Sequence, residues 1–299
     1  VNLKKEKLLI IGDYGYPTRR VSALLSACYY LAAKEIGITP ELVIQEPKRD
    51  VDKASTQVIK KMLDLPEKSI IILNASRKIG QMGDIGKSFR KFCKTRNHKF
   101  ISTTSLSTID TFMIKNIISP IFVNYEEMQE KDKKIKLEIS SGKYMNIKTK
   151  AGTNLDIDLK NVDVRIADGN YREPGTGGNL PAGEVYFAPY NSNGKVVIDG
   201  SSRNREDAVL IQRPITLIIE NNKIIAIGGD EEARLLDASL KQAEERAKYP
   251  DRIRYLAEIG IGTNAKAKII GSTIVDEKTY GTAHVAIGSN YWFGGTNKT

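Results

Sequence analysis

Three side chains in the C-terminal half of the sequence have the chemistry of metal ligands: Glu184, Glu258 and His284. Glu184 follows a turn-forming stretch, GTGGNLPAG, and begins the β-prone run EVYF. Glu258 lies in the apolar stretch IRYLAEIGIGTN, and His284 lies in the alternating stretch GTAHVAIGSN. Carboxylate and imidazole ligands together suit Zn²⁺, Co²⁺, Mn²⁺ or Fe²⁺. The three residues are therefore candidates for one divalent metal site.

Each of these residues also has a structural explanation. A lone histidine on one face of a strand, such as His284, is often a core residue with satisfied hydrogen bonds. Glu258 could lie at a solvated edge or in a buried pair, because an unpaired buried carboxylate is costly. The long spacings between the three residues carry little information. The neighbouring acids Asp276 and Glu277 could equally be surface groups.

Other sites have weaker support. The chain has only two histidines and two cysteines. His98 lies in the basic run RKFCKTRNHK, which is typical of a surface, and Cys28 lies on the apolar face of a predicted helix, which indicates a buried thiol. Two cysteines make no disulfide framework, so we expect a reducing cytoplasm. The turn IGDYGYPTRR lacks the glycine spacing of nucleotide-binding motifs and is interpreted as an ordinary turn.

The charge balance is basic but does not indicate a nucleic-acid partner. Lys and Arg total 46 against 36 Asp and Glu, which gives a formal charge of +10. The lysines are spread along the chain, and aromatic residues, at 7%, do not interleave with them as a base-stacking surface requires. No apolar run approaches the ~18 residues of a membrane span. We expect neither a nucleic-acid nor a membrane partner.

Two architectures follow one another along the chain. Residues 1–125 alternate strand-like runs such as LLIIGD with amphipathic helices, which predicts an α/β domain with a mostly parallel sheet. Residues 126–299 are mostly β in pattern, with a helix after Asp230 and a hairpin at the Asn-Asn pair of IIENNKII. They predict a mostly antiparallel β domain of the α+β type, and this domain carries the candidate ligands.

The stretches GNLPAGEVYFAP, AEIGIGTN and DEKTYGTAHVAIGSNYWFGGTN resemble, in this order, three blocks of the M29 aminopeptidases, the aminopeptidase T/S family of metallopeptidases. The similarity covers roughly residues 170–299 and is only architectural before them. The resemblance implies that Glu184, Glu258 and His284 are metal ligands and that Tyr291 lies beside the metals. It also implies a homodimer, a peptide substrate and two ions (Zn²⁺, Co²⁺ or Mn²⁺) that activate water to attack an N-terminal peptide bond.

One departure from that family weakens the peptidase reading. The family has a further H-x-D pair downstream, and both of its residues are metal ligands. Residues 1–299 contain no such pair, so the resemblance implies an incomplete two-metal site and an impaired peptidase.

Two alternatives stand beside the peptidase. The non-haem iron 2,5-dihydroxypyridine dioxygenases share the fold and a similar PAGEV block; their Fe²⁺ site would need a histidine beyond Thr299 to form a two-histidine triad. The second alternative is a protein that keeps the fold but has no enzyme activity, or that binds a nucleotide or nucleic acid. The sequence favours a cytoplasmic metallo-aminopeptidase in which Tyr291 donates a hydrogen bond to the oxyanion or, as the alternative, orients a metal ligand.

Overall fold

The computed structural model describes residues 6–49, 51–86, 88–204 and 207–299. Backbone contacts divide the chain into two units. Unit 1 comprises Val1–Ile121 and Gly169–Ala182, and unit 2 comprises Phe122–Asp168 and Gly183–Thr299. The division of the chain after residue 125 stays a prediction, and the sequence analysis did not foresee the return of Gly169–Ala182 to unit 1.

Unit 1 contains a parallel sheet, as predicted. Its strand order in the described residues is β2-β1-β3-β4-β8, and every neighbouring pair is parallel. The first strand, LLIIGD, is buried along its whole length, as expected for a parallel strand covered on both faces. Numbered in chain order, its elements are β1 (Leu8–Asp13), α1 (Val21–Glu35), β2 (Pro40–Gln45), α2 (Thr56–Asp64), β3 (Ile70–Asn74), α3 (Phe89–Thr95), β4 (Lys99–Thr103), α4 (Lys115–Ile121) and β8 (Gly177–Asn179).

Two expectations within unit 1 are wrong. His98 is buried rather than at the surface, and its Nδ1 accepts a hydrogen bond of 3.2 Å from the Ser69 amide. Cys28 is exposed, because the buried stripe of α1, which includes Ser22, Ser26 and Ala33, leaves the thiol at its exposed flank. Neither error touches the candidate metal ligands.

Unit 2 is built mainly from antiparallel sheets, also as predicted. In the described residues one sheet has the order β14-β13-β10-β6-β5, a second has the order β16-β15-β9-β7, and β11 pairs with β12. Its elements are α5 (Tyr125–Ser141), β5 (Tyr144–Lys148), β6 (Asn154–Asp158), β7 (Arg165–Ala167), β9 (Glu184–Phe187), β10 (Asn191–Ile198), β11 (Ser201–Asn204), β12 (Asp207–Leu210), β13 (Ile215–Glu220), β14 (Lys223–Gly228), α6 (Glu231–Arg246), β15 (Leu256–Gly262), α7 (Thr273–Asp276) and β16 (Ala283–Ile287).

Local chemistry explains several boundaries in unit 2. Asn221 and Asn222 have φ values of 49° and 67°, so the predicted hairpin turn between β13 and β14 is confirmed. Asp230 precedes α6 as predicted, but its carboxylate accepts a hydrogen bond of 2.9 Å from Arg213 rather than capping the helix. None of the helices in the described residues combines the length and apolar composition that a membrane crossing requires.

Candidate metal centre

The register of the second sheet of unit 2 places the three predicted ligands on one face. Glu184 begins β9 and pairs with Gly262 of β15, while His284 of β16 pairs with Gly260. Glu258, Gly260 and Gly262 alternate along β15 and so share a face, and residues directly opposite them in neighbouring strands lie on the same face. The sheet therefore brings Glu184, Glu258 and His284 together although they are remote in sequence.

Two glycines of β15 leave the room that this arrangement needs. A Cβ atom at Gly260 would lie 2.2 Å from the His284 ring, which is far inside van der Waals contact. A Cβ atom at Gly262 would lie 2.1 Å from the backbone oxygen of Thr279, in the segment that leads to β16. The GIG sequence is therefore a packing requirement of the site, because the imidazole and a backbone segment occupy the space of two side chains.

The three side chains are close enough to act on one ligand. His284 Nε2 lies 3.4 Å from Glu258 Oε1 and 3.6 Å from Glu184 Oε2. Tyr291 is not among the side chains that the described residues place in this group. It lies in a short 3₁₀ turn, is 62% exposed, and has the Lys298 ammonium 5.3 Å from its ring centroid. Its position beside a metal stays a prediction.

Two further residues belong to the site: Glu277, which the sequence analysis set aside as a surface group, and Lys278, which it did not name. Ligand atoms of Glu184, Glu277 and His284 all lie within 4.8 Å of one another. Lys278 is 1% exposed, and its Nζ lies 2.5 Å from Glu184 Oε1 and 2.7 Å from Glu277 Oε1. The only signal in the sequence is the adjacent pair of opposite charges in VDEKTYG, and such a pair is usually a solvated surface.

The segment that carries Glu277 and Lys278 is fixed by the loop before it. The buried carboxylate of Asp276, at the end of α7, accepts hydrogen bonds from the amides of Ile270, at 2.7 Å, and Gly271, at 3.1 Å. The Lys278 carbonyl accepts a further bond of 2.9 Å from the Asn264 amide, just after β15. These bonds hold the segment against the strand that carries Glu258.

Burial and mutual charge shift the pKa values of Glu184, Glu277 and His284. Burial raises the pKa of Glu184 to about 7, although Lys278 opposes the rise. Burial also acts on Glu277, but the Lys278 ammonium and His284 outweigh it and lower the pKa of that carboxyl. For His284, burial is outweighed by the hydrogen bond to Glu258 and by the charges of Glu184 and Glu277, so its pKa is raised. Three acids thus surround two basic groups in a buried space.

The residues present fit a divalent metal ion. Among the described residues, Glu184 Oε2, which faces His284 Nε2, is buried without a hydrogen-bond partner, and such atoms normally have one. With metal–ligand bonds of about 2.1 Å, two ligands at a right angle lie about 3 Å apart, close to the separations seen around His284 Nε2. Carboxylates and an imidazole suit the ions from Mn²⁺ to Zn²⁺.

Comparison with known proteins separates the two enzyme readings of this site. A family model described as NicX, 2,5-dihydroxypyridine 5,6-dioxygenase, matches residues 117–299, which include the whole cluster. The chain belongs to this dioxygenase family. A solved structure of the 2,5-dihydroxypyridine dioxygenase from Pseudomonas putida KT2440 is similar in fold, with a TM-score of 0.68 and 15% identity over 99% of this chain and 84% of that chain. No curated protein sequence matches the chain.

The assignment to the M29 aminopeptidases is therefore wrong, and so is the classification as a hydrolase and protease. The dioxygenase family match and the dioxygenase fold support the alternative reading, an oxidoreductase. The error has a physical reason. The GEV, GIG and AHVAIG stretches set the sheet register and make room for His284. They describe how a site is built, whereas the reaction depends on what that site then binds.

Proposed function

We propose that this protein is an iron-dependent dioxygenase that opens the ring of a dihydroxylated pyridine, with 2,5-dihydroxypyridine as the model substrate. One observation carries the proposal: the cluster of buried and half-buried carboxylates and imidazole lies inside the segment that matches the dioxygenase family. When bound, a ferrous ion supplies one-electron chemistry with dioxygen and open coordination positions.

The residues of this chain would divide the work of the site. Glu184, Glu277 and His284 offer ligand atoms within 4.8 Å of one another and would hold the ion. Glu258 would ligate the same ion, because its Oε1 lies 3.4 Å from His284 Nε2, the ring nitrogen that also faces Glu184 Oε2. The low exposure of the cluster keeps bulk water away from the reacting groups.

Oxygen consumption by the purified chain tests the proposal. The protein is loaded anaerobically with Fe²⁺, mixed with 2,5-dihydroxypyridine, and followed by an oxygen electrode and by loss of the aromatic absorbance. We expect uptake of oxygen that matches substrate loss. Glu184→Gln is expected to lower kcat/KM by about 100-fold or more, because the variant loses a charged ligand. The matched control is Glu220→Gln, an exposed acid at the end of β13, which should retain full activity.

An opposite pattern would contradict the proposal. The protein would be a hydrolase if it released amine from an aminoacyl chromogenic substrate with Zn²⁺ or Co²⁺ and took up no oxygen with Fe²⁺. Oxygen uptake that persists unchanged in Glu184→Gln would show that the cluster around His284 is not the reacting site.

A further inference from the structure

The Lys278 ammonium lies inside the candidate metal centre, between two of its carboxylates. Its Nζ is 2.5 Å from Glu184 Oε1 and 2.7 Å from Glu277 Oε1, and the side chain is 1% exposed. Lysine is almost never buried without a partner, because a desolvated ammonium is stable only when charges and hydrogen-bond acceptors surround it. The fold therefore places a fixed positive charge at a defined point of the site.

Glu184 links this ammonium to the imidazole. One carboxylate oxygen, Oε1, faces Lys278, while the other, Oε2, lies 3.6 Å from His284 Nε2 and is buried without a hydrogen-bond partner among the described residues. In two-metal sites a pair of ions lies about 3.5–4 Å apart, and a carboxylate can bridge them through its two oxygens. Here the Lys278 ammonium occupies one end of that bridge, and only the end beside His284 is open to an ion.

The charge balance of the cluster also favours a single divalent ion. Glu184, Glu258 and Glu277 bring three negative charges and Lys278 brings one positive charge, so one divalent ion makes the sum zero. A second divalent ion would leave the buried cluster with excess positive charge, unless it displaced Lys278 from both of its partners. Excess charge in a low-dielectric space is strongly unfavourable.

We propose that Lys278 takes the place of a second metal ion and restricts this centre to a single ion, bound on the His284 side of Glu184. This inference rests on the proposed function, in that it takes the cluster to be a metal centre. Lys278 is then a positioning residue, which holds one oxygen of Glu184 and one oxygen of Glu277. A single ion with open positions suits oxygen chemistry, whereas a pair of ions is the arrangement that activates water for hydrolysis.

Manganese binding tests the inference without using activity. Mn²⁺ is a suitable probe because carboxylate and imidazole ligands bind it and its electron spin resonance distinguishes isolated ions from coupled pairs. The wild-type chain is titrated with Mn²⁺, and bound metal is measured by equilibrium dialysis and elemental analysis. We expect one Mn²⁺ per chain with the spectrum of an isolated ion, even at saturation.

Lys278→Met keeps the apolar stem and removes the charge. We expect more than one Mn²⁺ per chain, a coupled spectrum, and a first ion bound about tenfold more tightly, because a neighbouring positive charge is gone. Lys278→Arg keeps the charge and should bind one ion. The matched control is Lys268→Met, an exposed lysine in the loop before α7, which should behave as the wild type.

The outcomes separate this inference from the proposed function. A coupled spectrum in the wild type overturns the inference whatever the variants do, so the test holds even if Lys278→Met does not fold. One ion in a folded Lys278→Met, bound as in the wild type, also overturns it. One Mn²⁺ in the wild type with no oxygen uptake under Fe²⁺ contradicts the dioxygenase proposal alone. No Mn²⁺ binding by the wild type overturns both.

Discussion

Asp132, on α5, is a fully buried acid that the candidate metal centre does not use. Both of its carboxylate oxygens lack a hydrogen-bond partner in the described residues. Burial raises its pKa to about 6; the nearby Thr263 hydroxyl opposes the rise without reaching hydrogen-bond geometry. The charged form of this side chain is therefore disfavoured in the folded protein, and its titration must affect stability.

Replacing Asp132 by Asn is expected to stabilise the protein at neutral pH. The unfolded carboxyl titrates near 3.8 and the folded one near 6, so the folded state holds more protons between these values. Stability therefore falls as pH rises from about 4 to 6, and the full cost, about 3 kcal/mol, is present above pH 6. Asp132→Asn removes this cost. Urea unfolding at pH 4 and pH 7.5 measures it.

The control for this prediction is Asp199→Asn, an exposed acid between β10 and β11. It should leave the pH dependence unchanged. If wild type and Asp132→Asn show the same loss of stability between pH 4 and pH 7.5, then the folded carboxyl does not titrate near 6.

At the scale of elements, the close contact between β15 and β16 should be sensitive to one methyl group. Gly260→Ala is expected to displace the His284 ring, because the new Cβ would lie 2.2 Å from it. We expect Mn²⁺ affinity to fall by at least about tenfold and the free energy of unfolding to fall by about 1–3 kcal/mol, the usual cost of overpacking. Calorimetric titration and urea unfolding measure the two effects.

Gly228→Ala provides the comparison, since a Cβ atom there, at the end of β14, meets no described heavy atom closer than 4.0 Å. It should bind Mn²⁺ like the wild type. Equal metal affinity in Gly260→Ala and Gly228→Ala would mean that the position of the His284 ring does not control binding.

Local sequence patterns predicted some elements of the structure, whereas strand register and burial were not predicted. Apolar runs such as LLIIGD and the Asn221-Asn222 turn are local patterns, and local patterns predicted the parallel sheet and the hairpin. The shared face of Glu184, Glu258 and His284 depends on strand register, which the sequence did not predict; residue chemistry and a resemblance only nominated the three as ligands. Glu277 and Lys278 were missed because adjacent opposite charges resemble a surface, and only packing in three dimensions shows that they are buried.

At the scale of the whole molecule, metal binding should appear as stability. A ligand that binds only the folded state raises the free energy of unfolding by about 2.7 kcal/mol at 100 times its dissociation constant. We expect Mn²⁺ to raise the melting temperature of the wild type and EDTA to reverse the change. Glu184→Gln should lose most of this shift and Glu220→Gln should keep it. An equal shift in both variants would place the stabilising ion elsewhere.

Two expectations about the whole molecule stay predictions: the homodimer, and the absence of a nucleic-acid partner despite the formal charge of +10. Sedimentation of the purified chain measures the first. For the second, weak binding to DNA that disappears at moderate salt would reflect charge alone.

The position of β8 in unit 1 affects how the protein folds while it is being synthesised on the ribosome. β8 pairs with β4 in the parallel sheet, yet it is synthesised after α5 and strands β5–β7 of unit 2. The nascent sheet therefore keeps an open edge at β4 while much of another unit is being translated, and open strand edges invite pairing with other chains. Translation that stalls before Gly177–Asn179 leaves this edge uncovered. Slow synthesis of the chain between β4 and β8 should therefore increase the fraction of the protein that aggregates.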